Sequence, residues 1–114
     1  MNKIIKKIET FISIHVAVEP GDLTRYDFLI SKDGPDQFCI SPIRSTFKFP
    51  QRISRFDIPD SWETIENWFM FRGHGSPTKF DKWIIKTAKE YKCNPCTVAA
   101  VVKTLKILIE TKEL

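Results

Sequence analysis

The sequence predicts an α+β fold in one domain of 114 residues, with a small antiparallel sheet or β-hairpin followed by three helices. In residues 1–58, short runs that alternate apolar and polar side chains are separated by turn residues, which is typical of strands. In residues 59–114, apolar side chains recur at steps of three and four, which is typical of helices. An apolar fraction of 42% with 12% aromatic residues argues against disorder.

The chain begins with two overlapping patterns. Residues 2–12 place isoleucines and a phenylalanine at helical spacing, whereas residues 12–18 alternate as in a strand. We therefore expect a short N-terminal helix that runs into a strand. Residues 19–22, with the sequence Glu-Pro-Gly-Asp, predict a turn after that strand.

A β-hairpin is predicted next. Tyr26, Phe28 and Ile30 alternate with less apolar neighbours and predict a half-buried strand. An Asp-Gly pair lies in the loop at residues 32–36, and residues 37–41 alternate again. The proline that follows would end the second strand or keep it at a sheet edge.

A basic, aromatic segment follows at residues 43–56. It contains no acidic residue, and three phenylalanines are interleaved with its cations, which are Arg44, Lys48, Arg52 and Arg55. Cations beside aromatic rings can hold a single-stranded nucleic acid by phosphate contacts and base stacking. No RNA-binding motif surrounds this stretch, so we favour an irregular or extended segment with phenylalanines in the core and arginines in solvent.

The three helices are predicted at residues 61–71, 78–91 and 95–110. Asp60 and Glu63 fit a capping box at the start of the first helix, and Gly73 suits its end. Asn94 is a good N-cap for the last helix, and Pro95 suits its first position.

The last two helices and their very short connection, residues 80–108, resemble the helix-turn-helix of DNA-binding regulators. Ala88 stands where that motif keeps a small residue, and Val98 and Val101 stand at buried positions of its second, recognition helix. Lys92 stands where the motif usually has glycine, so a left-handed backbone there would be strained. The outward positions of the recognition helix would be Cys96, Thr97, Ala99, Ala100 and Lys103. The two alanines cannot hydrogen-bond a base edge.

Charge supports a nucleic-acid partner. Residues 79–106 hold seven lysines against two acidic residues, so this segment carries +5 and the remainder −1 of the total +4. Lysines at steps of three and four form a basic ridge suited to phosphate contacts, with a solvated helix face as the alternative. From the resemblance, the expected contacts to double-stranded DNA are Lys79, Lys82, Lys86, Lys89, Lys92, Asn94, Thr97 and Lys103, with Asn94, Thr97 and Lys103 nearest the bases.

Catalytic and metal sites are weakly supported by the sequence. Cys93 and Cys96 form a C-x-x-C that resembles thioredoxin-type sites, but it follows a helix rather than a strand. Zinc would need further ligands from Cys39, His15 or His74, and no second paired spacing exists. His74 lies in a glycine-rich turn without an accompanying nucleophile. We expect no enzyme activity, cofactor or metal. We expect the cysteines to have structural roles, with Cys93 in the turn core and Cys96 nearer the surface.

The predicted function is that of a small DNA-binding or transcription-modulating protein with a C-terminal helix-turn-helix. We expect a cytoplasmic protein for three reasons. The three cysteines lack disulfide spacing, no apolar stretch is long enough to span a membrane, and the N-terminal apolar run is interrupted. The alternative is a protein-interaction module that binds and inhibits a partner, such as a transcription or defence component, without contacting DNA. Small chains rich in lysine and isoleucine resemble bacteriophage accessory proteins in composition.

Overall fold

A computed structural model, which describes residues 9–19, 22–43, 50–71 and 78–114, has the α+β fold predicted from the sequence. Among the described residues four strands precede three helices, and a short 3-10 turn at Arg55–Asp57 lies between the two parts. The elements are β1 (Glu9–Glu19), β2 (Asp22–Lys32), β3 (Gln37–Pro42), β4 (Arg52–Ser54), α1 (Trp62–Phe71), α2 (Lys79–Tyr91) and α3 (Pro95–Glu110).

The four strands form one antiparallel sheet in the order β1-β2-β3-β4. Ile12 pairs with Phe28 and Ile14 pairs with Tyr26, so the apolar positions of β1 and β2 share one face. Phe28 and Ile30 of β2 are fully buried on that face. The opposite face carries polar contacts such as the one from Arg25 Nε to Ser13 Oγ at 3.1 Å.

One sequence prediction for the sheet needs correction. Residues 9–12 belong to β1 and not to a helix, because their pairing with β2 sets a two-residue period. The rest of the expected helix, residues 2–8, lies outside the described residues. The segment expected to be irregular or extended is extended at Arg52–Ser54, which form β4, and Arg52 pairs there with Cys39 of β3. Arg44 and Lys48 lie outside the described residues.

The helix boundaries confirm the predictions to within one residue. At the start of α2, Thr78 Oγ1 accepts from Asp81 N–H and the Asp81 carboxylate accepts from Thr78 N–H, a reciprocal capping box. At the start of α3, the Asn94 side chain accepts from Cys96 N–H at 2.8 Å, with Pro95 in the first turn. Gly73, expected to end α1, lies outside the described residues.

The last helix, α3, is the centre of the core. It contacts β1 as well as α1 and α2, so it is covered from several sides. Its buried residues are Cys96, Thr97, Val98, Ala99, Val101, Val102, Leu105, Lys106 and Leu108. A helix with a single apolar stripe leaves its opposite face in water. The start of α3 differs, because the four consecutive residues 96–99 are all buried.

Candidate nucleic-acid interface

Four lysines lie on one exposed face of α2: Lys79, Lys82, Lys86 and Lys89. Their steps of three and four residues place them on neighbouring turns, and ten residues of helix extend over about 15 Å. The opposite face of α2 is held in the core by Phe80, Ile84 and Ala88. We call these four lysines the lysine ridge.

The charges of the lysine ridge are free in the part of the chain that the structure describes. The ion pairs there join Arg25 to Asp27, Arg52 to Asp33 and Lys106 to Glu110, and none involves the ridge. Asp81, the acidic residue in the first turn of α2, is buried and its carboxylate is occupied by the cap. The ridge therefore presents ammonium groups that an anionic ligand could bind.

Lys92 follows α2 as an exposed residue with φ 54° and ψ 47°, a left-handed backbone. Its N–H donates to the Lys89 carbonyl at 3.3 Å, and Cys93 N–H donates to the Ala88 carbonyl at 2.9 Å. Hydrogen bonds of this kind satisfy the last carbonyls of a helix. The left-handed conformation that the sequence marked as strained for a lysine is thus present at this turn.

Five positions of α3 were expected to face outward, and that prediction is wrong for three of them, Cys96, Thr97 and Ala99, which are buried. Thr97 is 1% exposed, and Cys96 and Ala99 are buried beside it. The physical reason is that α3 packs against β1 as well as α1 and α2, so more than one of its faces is covered. A side chain enclosed in the core cannot reach a base edge in a groove.

The remaining predicted contacts on α3 do not join the ridge. The Asn94 side chain is half-buried and is used as the helix cap. Lys103 is exposed, but its Nζ lies 5.6 Å from the centre of the Phe69 ring of α1. Together with His15 of β1 it lines a cleft of about 290 Å³. Lys92, a further expected DNA contact, is exposed and directly follows the last residue of α2.

The cations of the basic, aromatic segment at residues 43–56, a second basic patch, are only partly among the described residues. Arg52 on β4 and Arg55 on the 3-10 turn are both exposed. Arg52 Nη2 lies 3.9 Å from Asp33 Oδ2, an exposed pair. The neighbouring Phe56 is 83% exposed, so the expectation that the phenylalanines of this segment are core residues is wrong at this position.

Phe56 lies at a cleft that the sequence did not indicate. The cleft has a volume of about 310 Å³ and lies between the 3-10 turn, α1 and the start of α2. Its lining residues are Phe56, Asp57, Pro59, Thr64, Thr78, Lys79, Phe80 and Trp83. The Phe80 and Trp83 rings are nearly parallel, with centroids 6.1 Å apart and an angle of 15° between the planes. We call this the aromatic cleft; Lys79 belongs both to it and to the ridge.

The cysteines are placed in the opposite order to the prediction. Cys96 is buried at the start of α3, whereas Cys93 is half-buried in the turn. Burial raises the pKa of the Cys93 thiol, and a weaker opposing effect comes from a backbone hydrogen bond. A raised pKa keeps the thiol protonated at neutral pH, which disfavours nucleophilic chemistry.

Metal ligation is not evident in the described ranges, where no group of three or more His, Cys, Asp and Glu side chains could hold a metal ion. His15 is exposed on β1, and His74 lies outside the described residues. None of the described helices is long and apolar enough to cross a membrane.

Comparison of the chain with protein-family models gave no match, and comparisons with curated proteins and with solved structures gave none either. The lysine ridge and the aromatic cleft are therefore the features from which a function is inferred.

Proposed function

We propose that this chain is a small DNA-binding, transcription-modulating protein that holds nucleic acid by its phosphates and does not read base edges. The observation that carries the proposal is the lysine ridge: four exposed lysines on one face of α2, none of them ion-paired among the described residues. Lysines bind phosphates as point charges and release counterions from the nucleic acid.

The burial of Thr97 supports a sequence-independent mode. With Cys96, Thr97 and Ala99 enclosed, the start of α3 offers no side chain for the major groove. Phosphate contacts fix position and orientation on a duplex and carry no sequence information by themselves. The three free thiols of the structure are consistent with a reducing, cytoplasmic setting for this function.

The proposal predicts a defined salt dependence. Four phosphate contacts give a slope of about −3.6 for log affinity against log salt on duplex DNA. Affinity should therefore fall about 100-fold between about 50 and 200 mM salt.

A charge-matched pair of variants tests the ridge. Lys82→Glu with Lys86→Glu should lower duplex affinity and reduce the salt slope by about two, since two phosphate contacts are lost. Lys32→Glu with Lys112→Glu is the control, because both lysines are exposed, neither belongs to α2, and the net charge changes equally. Fluorescence anisotropy of a labelled duplex at several salt concentrations measures both.

Equal losses of duplex affinity in the two variants would show that only net charge matters. That result would refute the lysine ridge as the phosphate-binding surface. Absence of DNA binding by the unaltered protein at low salt would refute the proposed function itself. Circular dichroism should show both variants folded, because exposed substitutions change stability by about 0.5 kcal/mol or less.

A second candidate, a module that binds and inhibits a partner protein, is favoured by exposed apolar side chains. Met70 of α1 is 73% exposed, and Phe56 is a second large apolar side chain that is exposed. Apolar side chains of this size are enriched at the centres of protein interfaces. Stoichiometric co-purification of a partner that survives Lys82→Glu with Lys86→Glu but is lost on Met70→Asp would support this candidate.

A further inference from the structure

We propose that the aromatic cleft receives an unpaired base, so that the preferred ligand is a single strand whose phosphates follow the lysine ridge. This inference rests on the proposed function, since it uses the ridge as the phosphate contact. It gives the aromatic cleft, which has no part in the phosphate contacts described above except through Lys79, a class of ligand.

The aromatic side chains of the cleft suit base stacking. Phe56 is 83% exposed on the 3-10 turn, and the half-buried Trp83 of α2 also lines the cleft. An exposed aromatic ring offers a face on which a base of any sequence can stack. In a duplex the faces of the bases are already stacked, so Phe56 can contribute only where a base is unpaired.

The size of the cleft limits the occupant. Its volume of about 310 Å³ is at the lower end of the range of small-ligand pockets, about 300–1,000 Å³. A single base is a flat group that fits such a space, whereas a folded segment of a partner protein needs a longer groove.

The polar residues of the cleft place the base inside and the phosphates outside. Asp57 is half-buried there, and its Oδ2 accepts from Ser54 N–H at 3.3 Å as part of a capping box. A carboxylate repels a phosphate but accepts hydrogen bonds from the amino and imino groups of a base. Thr64, on α1, adds a hydroxyl to the same lining.

The ridge continues from the cleft along α2. Lys79 lines the cleft, and Lys82 and Lys86 follow at one-turn steps on the exposed face. A strand with one base in the cleft therefore meets ammonium groups on the next turns of the helix. A positive track beside aromatic rings is the arrangement used by sequence-tolerant single-strand binders.

Two labelled probes of equal length, an oligo(dT) and a duplex, test the inference by fluorescence anisotropy. Unaltered protein should bind oligo(dT) more tightly than the duplex. Phe56→Ala should lower oligo(dT) affinity about 10-fold and leave duplex affinity and its salt slope unchanged. Met70→Ala is the matched control, since it truncates a comparably exposed apolar side chain outside the cleft. Quenching of tryptophan fluorescence by oligo(dT) should be reduced in Trp83→Phe.

The outcomes separate this inference from the proposed function. Ridge-dependent duplex binding with no preference for oligo(dT), or with no effect of Phe56→Ala, overturns the cleft assignment alone. Loss of binding to both probes at low salt overturns the proposed function and this inference with it. Binding of an acidic aromatic peptide that requires Phe56, without oligo(dT) binding, overturns the inference in favour of a protein ligand.

Discussion

The indole Nε1 of Trp62 donates to both carboxylate oxygens of Glu110, at 3.0 and 2.9 Å, and so joins the first turn of α1 to the last turn of α3. Lys106 completes this cluster: its Nζ lies 5.4 Å from the centre of the Trp62 ring and donates to the Asp60 carbonyl at 2.9 Å. A buried lysine is stable only when its ammonium group has partners, and here it has three, since Glu110 Oε1 is 3.6 Å away.

Trp62→Phe should lower the free energy of unfolding by about 1 kcal/mol, because it removes the hydrogen-bond donor and keeps an aromatic ring beside Lys106. Urea denaturation followed by circular dichroism measures the change. Trp83→Phe is the control, because the Trp83 indole makes no hydrogen bond to the described residues. Equal stability losses in the two variants would argue against the Trp62–Glu110 bond as a stabilising contact.

Thr97→Val should leave stability unchanged or raise it by up to about 1 kcal/mol. The Thr97 Oγ1 is buried without a hydrogen-bond partner among the described residues, and removing an unpaired polar atom removes its desolvation cost. Thr104→Val is the contrast, since Thr104 Oγ1 donates to the Ala100 carbonyl at 2.9 Å and its loss should destabilise the fold. Thermal melts rank the two variants. A clear loss of duplex affinity in folded Thr97→Val would instead restore Thr97 as a DNA contact.

Alkylation of Cys93 should be slow at neutral pH and should accelerate as the pH rises through its elevated pKa. Burial favours the neutral thiol in the folded state, so the folded pKa lies above the unfolded one. This contribution to stability is complete below the unfolded pKa and is lost as the pH rises through the folded pKa. Iodoacetamide labelling across pH in Cys39→Ser with Cys96→Ser isolates Cys93. A rate midpoint at or below that of the denatured protein would contradict the raised pKa.

Local chemistry made the helices predictable. Asn94 and Pro95 specify the start of α3 by a side-chain cap and a fixed φ, and both effects lie within the first turn. The alternation of Tyr26, Phe28 and Ile30 likewise specified the buried face of β2. These features depend on neighbours a few residues apart, which a sequence shows directly.

Contacts between distant residues account for the wrong predictions. Residues 9–12 continue the helical spacing of residues 2–12 in the sequence, and only their pairing with β2 makes them part of a strand. Thr97 occupies a position expected to face outward, and its burial among the elements that surround α3 could not be read from its own helix. Phe56 is the converse case, since an apolar residue predicted for the core lies in water beside the aromatic cleft. The candidate site was therefore predictable in its lysines and not in its aromatic residues.

The central position of α3 has a consequence for folding during synthesis. The ribosome makes β1 and β2 first, and α3, which packs against β1, is completed 78 residues after the end of β2. Until then Phe28 and Ile30 lack the cover that α3 gives the core, and an apolar sheet with an open edge is prone to pair with other chains. A nascent chain stalled before Pro95 should therefore be a target for chaperones, whereas one that includes residues 95–110 can close its core.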